Sequence, residues 1–332
     1  MKNLLFISAY TAPFVERDRE ILQKEYQVEI GISNKLSNSG WNYLRIFMTT
    51  GWQVLRNDLV YCWFADYRAR VGVFWARVMG KKAIVVIGGY EVRDIIYGEE
   101  AKAIHFPYIL RKADLLITVS DHYQKCLQEK FPEYAGKLKR IYNGIVITDQ
   151  GKTELKKENL VITVCSGNTD SRFKEKGLDL FIEAAVKLPS YQFAIIGAEG
   201  DLKKTISSKH NLSNLILVPA LQEVELIKWY QSAKVYCQFS RHESFGLALV
   251  EAMAWQCVPV VRGIASLRER VGDCGYVLEP GDSQDVGTII EQAANNNAEK
   301  GGMAAKRVMK LYDIKKRKEA LLKCLREIEN DY

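Results

Sequence analysis

Three observations in this 332-residue sequence predict an α/β chain with two open parallel sheets. Short runs rich in Val and Ile recur along the whole length, apolar throughout rather than alternating, as expected of strands covered on both faces. Segments of helical period separate them, which is how parallel strands are joined. The alternation lapses once, in the polar stretch "NGIVITDQGKTELKKEN" (143–159), which predicts a boundary between two domains.

The first four strands are read at "NLLFISA" (3–9), "LVYCWF" (59–64), "AIVVIGG" (83–89) and "DLLITVS" (114–120). After the boundary come "LVITVCS" (160–166), "FAIIG" (193–197), "LILVP" (215–219), "KVYCQFS" (234–240) and "VPVVRG" (258–263). Among the helices, "GLDLFIEAAVKL" is the clearest. Leu178, Phe181, Ile182, Ala185 and Val186 share one face, while Asp179, Glu183 and Lys187 lie four apart on the other. The tail "KKRKEALLKCLREIENDY" reads as one exposed helix. The expected organisation is a first domain over 1–147, a second over 148–311, and a C-terminal helix over 312–332 that packs back toward the first.

Composition narrows the function. No apolar stretch is long enough to span a membrane and the opening residues do not form a signal peptide, so the expected location is cytoplasmic. Seven scattered cysteines without a C-x-x-C pair, and four histidines at no ligand spacing, point away from disulfides and from His/Cys metal sites. The net charge is +7, and residues 1–147 carry 21 Lys and Arg against 15 Asp and Glu. That basic half suits either an anionic partner or simple solubility. Two segments, 41–56 and 67–82, mix Arg with Trp and Phe; they are read either as core or as a surface resting on an anionic membrane.

The stretch "RHESFGLALVEAM" (241–253) carries the chemistry. After the strand "KVYCQFS", Ser244 is the expected N-cap of a helix that starts near Phe245. Glu243 then stands at the helix mouth and Glu251 about two turns inside, roughly 10 Å further along the axis. That separation excludes a shared proton. It suits a ligand held at two places with an anion between them, at the free N–H groups of Phe245, Gly246 and Leu247. A nucleoside-diphosphate sugar has this layout: sugar at Glu243, diphosphate at the helix mouth, ribose at Glu251. The plainer alternative is that Glu243 favours the helix dipole and Glu251 pairs with a buried base.

"ESFGLALVEAMAWQCVPVV" resembles the E-x7-E signature of retaining GT-B glycosyltransferases of family four. "SLRERVGDCGYVLEPGD", "LVITVCSGN…EKGLDLFIEAAVKL" and "FAIIGAEG" resemble its other second-domain segments, and "VVIGGYEV" and "ADLLITVSDHY…IYNGI" its first-domain segments. The resemblance implies two Rossmann-like domains facing across a cleft, the donor bound mainly to the second. It implies Glu243, Lys176 and Arg172 as catalytic residues, with Glu91 standing where relatives have a His-Asp pair. Glu91 either takes part in the site or caps a turn, and Arg172 is either a phosphate ligand or a solvated charge. Donor contacts fall on Glu251, Ser244, Phe245, Gly246, Leu247, Gly167 and Gly197, and acceptor-side contacts on Tyr10, Thr11, Gly88, Gly89 and Tyr90. Departures are Gln256 in place of a small residue, Val146 in place of Asp, and a first strand leading into "SAYTAPF" without Gly-Gly.

The expected activity is retaining transfer from a nucleoside-diphosphate sugar to a saccharide or lipid-linked acceptor, with no cofactor and no nucleic-acid partner. No D-x-D triplet occurs, so no metal is expected. An epimerase or phosphorolytic enzyme of the same fold, and a non-catalytic sugar-nucleotide-binding partner, are the competing readings.

Overall fold

The computed structural model describes residues 1–31, 40–91, 95, 104–147, 156–167, 169, 171–279 and 285–330. The stretch 148–155, where the domain boundary is expected, lies outside them, as do Val92, Asn168 and residues 280–282 of the quoted motifs. The chain divides into two compact units, Met1–Gly144 with Ile314–Tyr332, and Ile145–Asp313.

The first unit holds a six-stranded sheet of β1 (Asn3–Ser8), β2 (Gln27–Ile30), β3 (Leu59–Trp63), β4 (Lys82–Ile87), β5 (Leu115–Thr118) and β6 (Leu138–Arg140), in the order β2-β1-β3-β4-β5-β6. Every pairing is parallel. Its helices are α1 (Pro13–Leu22), α2 (Gly40–Arg56), α3 (Tyr67–Val78), α4 (Phe106–Lys112) and α5 (Asp121–Lys130). Asp66 caps α3 by accepting from the N–H groups of Arg68 and Ala69.

The second unit repeats the design. Its sheet comprises β7 (Glu158–Gly167), β8 (Gln192–Ala198), β9 (Leu215–Val218), β10 (Ala233–Gln238), β11 (Val258–Arg262) and β12 (Tyr276–Leu278), in the order β12-β11-β10-β7-β8-β9 and again parallel. The helices are α6 (Ser171–Glu175), α7 (Leu178–Lys187), α8 (Gly200–Lys209), α9 (Glu223–Ser232), α10 (Leu247–Ala254), α11 (Ala265–Val271), α12 (Val286–Asn295) and α13 (Gly302–Leu311). Strand order reverses between β7 and β10 here, and between β1 and β3 in the first unit. A crevice opens at such points beyond the carboxyl ends of the strands.

All nine strands read from the sequence are present, and β2, β6 and β12 are additional. Those three are sheet edges. β2 (QVEI) and β6 (LKR) carry charged and polar residues and β12 (YVL) is three residues long, so none of them offers a continuous apolar run to be read, whereas the edge strand β9 (LILV) does.

The last helix, α14 (Ile314–Asn330), is not exposed all round: Arg317, Leu321, Leu322, Cys324 and Leu325 are buried. Arg317 forms a buried ion pair with Asp18 of α1, and Asp18 also accepts from the Tyr61 hydroxyl at 2.7 Å and Trp63 Nε1 at 2.8 Å. The cationic sequence of this helix conceals an apolar face and one inward arginine.

Candidate functional site

The second unit gathers its candidate residues at the switch point. Gly167 ends β7 and pairs with Ala198 at the end of β8, next to Gly197 at φ 91°. Lys176 and Gly177 form the turn between α6 and α7, with Gly177 left-handed at φ 65°. A Cβ there would lie 2.2 Å from the carbonyl oxygen of Phe239, just past β10. Only glycine permits that approach, and the approach brings Lys176 to the exit of β10.

The loop from β10 to α10 is fastened on two sides. Arg241 donates its N–H to the carbonyl of Glu175 at 2.9 Å and its Nε to that of Lys174 at 3.0 Å. On the other side Ser266 Oγ donates to the carbonyl of Glu243, and Arg270 Nε to that of Phe245 at 3.1 Å. Arg270 is wholly buried, its guanidinium 4.4 Å over the Phe245 ring. Glu243 is thereby held in one place. Its carboxylate accepts from Gln238 Nε2 at 2.8 Å, and Lys176 Nζ stands 3.4 Å from the same oxygen. Lys176 and Glu243 keep only 20% and 18% of their side-chain surface exposed, so the pair is more than a solvated surface contact.

The helix does not begin where its sequence suggests. Ser244 is not the cap: its N–H donates to the side chain of Glu243, and Gly246, left-handed at φ 79°, is the residue before α10. Val250 makes the first intrahelical bond, to Gly246, so the N–H groups without an intrahelical partner are those from Gly246 to Leu249; the expected set shares Gly246 and Leu247 with it, and Phe245 lies before it. The Phe245 side chain is core, edge-on to Tyr312 at 5.7 Å. Nor is Glu251 a buried charge. Together with Leu247 and Ala248 it is half-buried, so α10 has an open stripe at i, i+1 and i+4 that its apolar sequence hides.

Two tyrosines report where the carboxylates lie. Burial, then the Glu251 carboxylate, pushes the phenol of Tyr230 on α9 well above its ordinary value. Burial does the same to Tyr236 of β10, and Glu243 and Glu251 both add to it, against an opposing hydrogen bond from Val164. Both carboxylates are thus near enough to Tyr236 of β10 for their charges to act on it. Arg172 lies in α6 and pairs with Glu175 at 3.1 Å, so its charge is directed along its own helix. Gln238 and Arg270 escaped the sequence reading; the one signal for Gln238 is a polar residue closing an apolar strand.

In the first unit, Tyr10 and Thr11 follow β1, and Gly88, Gly89, Tyr90 and Glu91 follow β4. Tyr10 is partly exposed and stacks on Phe64 at 4.5 Å, and Tyr90 lies 5.4 Å from the same ring. Phe64 itself takes φ 72°, a strained value for a bulky residue. Glu91 is buried and accepts from the N–H groups of Gly88 at 2.7 Å, Gly89 at 2.9 Å and Ala65 at 3.2 Å. It thus ties the β4 loop to the β3 loop. Burial pushes its carboxyl up to about 7 despite these hydrogen bonds. Burial and the Glu91 charge together push Tyr10 up to about 12. Among the described residues no group of three or more His, Cys, Asp or Glu is placed to hold a metal ion.

Two doubly wound parallel sheets, the second with a cation, a carboxylate and a helix mouth at its switch point, define a GT-B-type α/β protein. Residues 147–309, just under half of the chain, match the family model "Glycosyl transferases group 1". It is 26% identical over 222 residues to a sulfoquinovosyl transferase of Arabidopsis thaliana, a match that covers 62% of this chain and 43% of that protein. The chain thus spans less than half of that relative. Its fold is similar to sucrose-phosphate synthase from Thermosynechococcus elongatus, with TM-score 0.78 and 15% identity over the whole of both chains. It is also similar to Anabaena HepE in complex with UDP and glucose, with TM-score 0.73 and 16% identity over 98% of this chain and 99% of that one. At these identities the structural likeness establishes the GT-B fold.

Proposed function

We propose that the chain transfers a sugar from a nucleoside-diphosphate sugar to a hydroxyl of a saccharide or lipid-linked acceptor, with retention of configuration and without a metal ion. The observation that carries this reading is the cluster of Lys176, Gln238 and Glu243 beside the open N-terminus of α10. The diphosphate lies at the N–H groups from Gly246 to Leu249, where the helix dipole favours an anion. Glu251, on the open stripe of the same helix, accepts from the ribose hydroxyls. Glu243, fixed by Gln238, faces the sugar. As the glycosidic bond breaks, charge grows on the departing diphosphate, and Lys176 with the helix mouth stabilises it without reorganising. Arg172 adds a second cation when it leaves Glu175.

Tyr10, Thr11 and the loop from Gly88 to Glu91 are the acceptor side. Retention follows front-face attack by the acceptor hydroxyl on the side the diphosphate leaves. Metal independence is supported by the missing D-x-D triplet. HepE, crystallised with UDP and glucose, makes UDP-sugars the first donors to try, GDP-sugars the next. Contact with the anionic inner face of a cell membrane belongs to the same proposal and suits a role in polysaccharide or glycolipid synthesis.

The test is release of nucleoside diphosphate from a panel of nucleotide sugars, with and without acceptors and with and without EDTA. Acceptor-dependent release that survives EDTA, with the product anomer matching the donor by proton NMR, is the expected result. Release without acceptor, an inverted anomer, or loss in EDTA reversed by Mg²⁺ would each remove its part of the proposal.

A further inference from the structure

The solvent face of α2 is apolar where a surface helix is ordinarily polar. Trp41 is 81% exposed and Trp52 61%, and Leu44, Met48 and Leu55 are exposed between and beside them. At 3.6 residues per turn these five side chains fall within an arc of about 80° and run about 21 Å along the helix. The opposite face of α2 is already used. Ile46 and Val54 are buried there, Trp75 Nε1 of α3 donates to the carbonyl of Phe47 at 2.9 Å, and a Cβ on Gly51 would lie 2.7 Å from the Trp75 ring. The exposed stripe is therefore a second apolar face that no described residue of the first unit covers.

Charge decides what covers it. Neither α2 nor α3 contains a single Asp or Glu. Arg45 and Arg56 are exposed along one margin of the stripe, with Arg56 shared by Glu29 at 2.9 Å and lying over the Trp52 ring. Two copies of the chain meeting through this face would bring like charges together. An anionic lipid surface offers apolar chains to the tryptophans and headgroup charge to the arginines.

We infer that the exposed face of α2 (Trp41, Leu44, Met48, Trp52 and Leu55, flanked by Arg45 and Arg56) is a docking surface that lies in the interface of an anionic membrane. This names the surface for the membrane contact proposed above and is independent of the transfer chemistry. The helix lies along the interface plane; among the described residues no helix is long and apolar enough to span a bilayer.

Flotation with vesicles of phosphatidylcholine alone, or mixed equally with phosphatidylglycerol, tests this with no nucleotide sugar present, so its failure is separate from failure of the transfer assay. The chain should float with the mixed vesicles at low salt and stay behind with the neutral ones. Trp41→Glu and Trp52→Glu should each weaken uptake about tenfold or more, and Arg45→Glu should weaken it too, with melting temperature unchanged because all three residues are exposed. No uptake at low salt, equal uptake by both vesicles, or variants that float like the parent would overturn the inference. So would a dimer in solution that Trp52→Glu converts to monomer, since a second copy would then be the occupant.

Discussion

Single residues divide into those whose chemistry the sequence announces and those whose chemistry arises only on folding. Glu243 and Lys176 belong to the first kind, and the structure puts them 3.4 Å apart although 67 residues separate them. Gln238 and Arg270 belong to the second. A glutamine at a strand end and an arginine in a charged segment look ordinary until the fold buries them against Glu243 and Phe245. Lys176→Ala should lower kcat by about 10²- to 10³-fold, the effect of removing one preorganised charge from a transition state. Steady-state release of nucleoside diphosphate measures it, and unchanged turnover would remove Lys176 from the chemistry.

Glu91 makes a separate prediction. The folded protein holds this proton with a carboxyl at about 7, against about 4.5 for an ordinary glutamate, so folding binds the proton more tightly. Stability from this group is complete below pH 4.5 and is lost as pH rises toward 7, amounting to at most about 3 kcal/mol. Denaturant melts of the parent between pH 5 and 8 should show this decline, and Glu91→Gln, which has no proton to lose, should flatten it. A parent that gains stability over that range through this side chain would contradict the assignment.

At the scale of elements, the continuous apolar strands were legible because burial on both faces leaves no polar position in them. Beginnings of helices were less so. The reading of Ser244 as a cap failed because Gly246 turns left-handed after it and resets the start to Leu247. Glycine geometry also fixes the turn at Gly177, where both the positive φ and the Phe239 carbonyl exclude a side chain. Gly177→Ala should cost about 2 kcal/mol or more. It should also move Lys176 away from Glu243, so that turnover falls further than the loss of folded protein explains. Thermal melts beside kinetics at a temperature where the variant stays folded would separate the two effects. A loss of stability with normal turnover would mean the turn does not position Lys176.

For the whole molecule, the chain leaves its first unit at Gly144, builds the second, and returns with α14. The returning helix brings Arg317 to Asp18, 299 residues away in sequence and inside the core of the first unit. Nothing in the basic tail marks Arg317 among its neighbouring lysines, so this closure was legible only as a helix. Arg317→Leu should destabilise the first unit by about 3–5 kcal/mol, because it leaves the Asp18 charge buried with only neutral donors. Hydrogen exchange should show faster opening across β1 and β3 and little change in the second unit; an effect confined to α14 would argue that the pair closes nothing.

On the proposed function, the switch point of the second unit, with α10 across it, binds a nucleoside diphosphate between Glu243 and Glu251. Isothermal titration of UDP and GDP into the parent chain and into Glu251→Ala tests it without any acceptor. One nucleotide should bind the parent at a single site, with affinity falling about tenfold or more in Glu251→Ala as the ribose loses its carboxylate. Equal affinity in parent and variant, or no binding of either nucleotide to the folded parent, would contradict it.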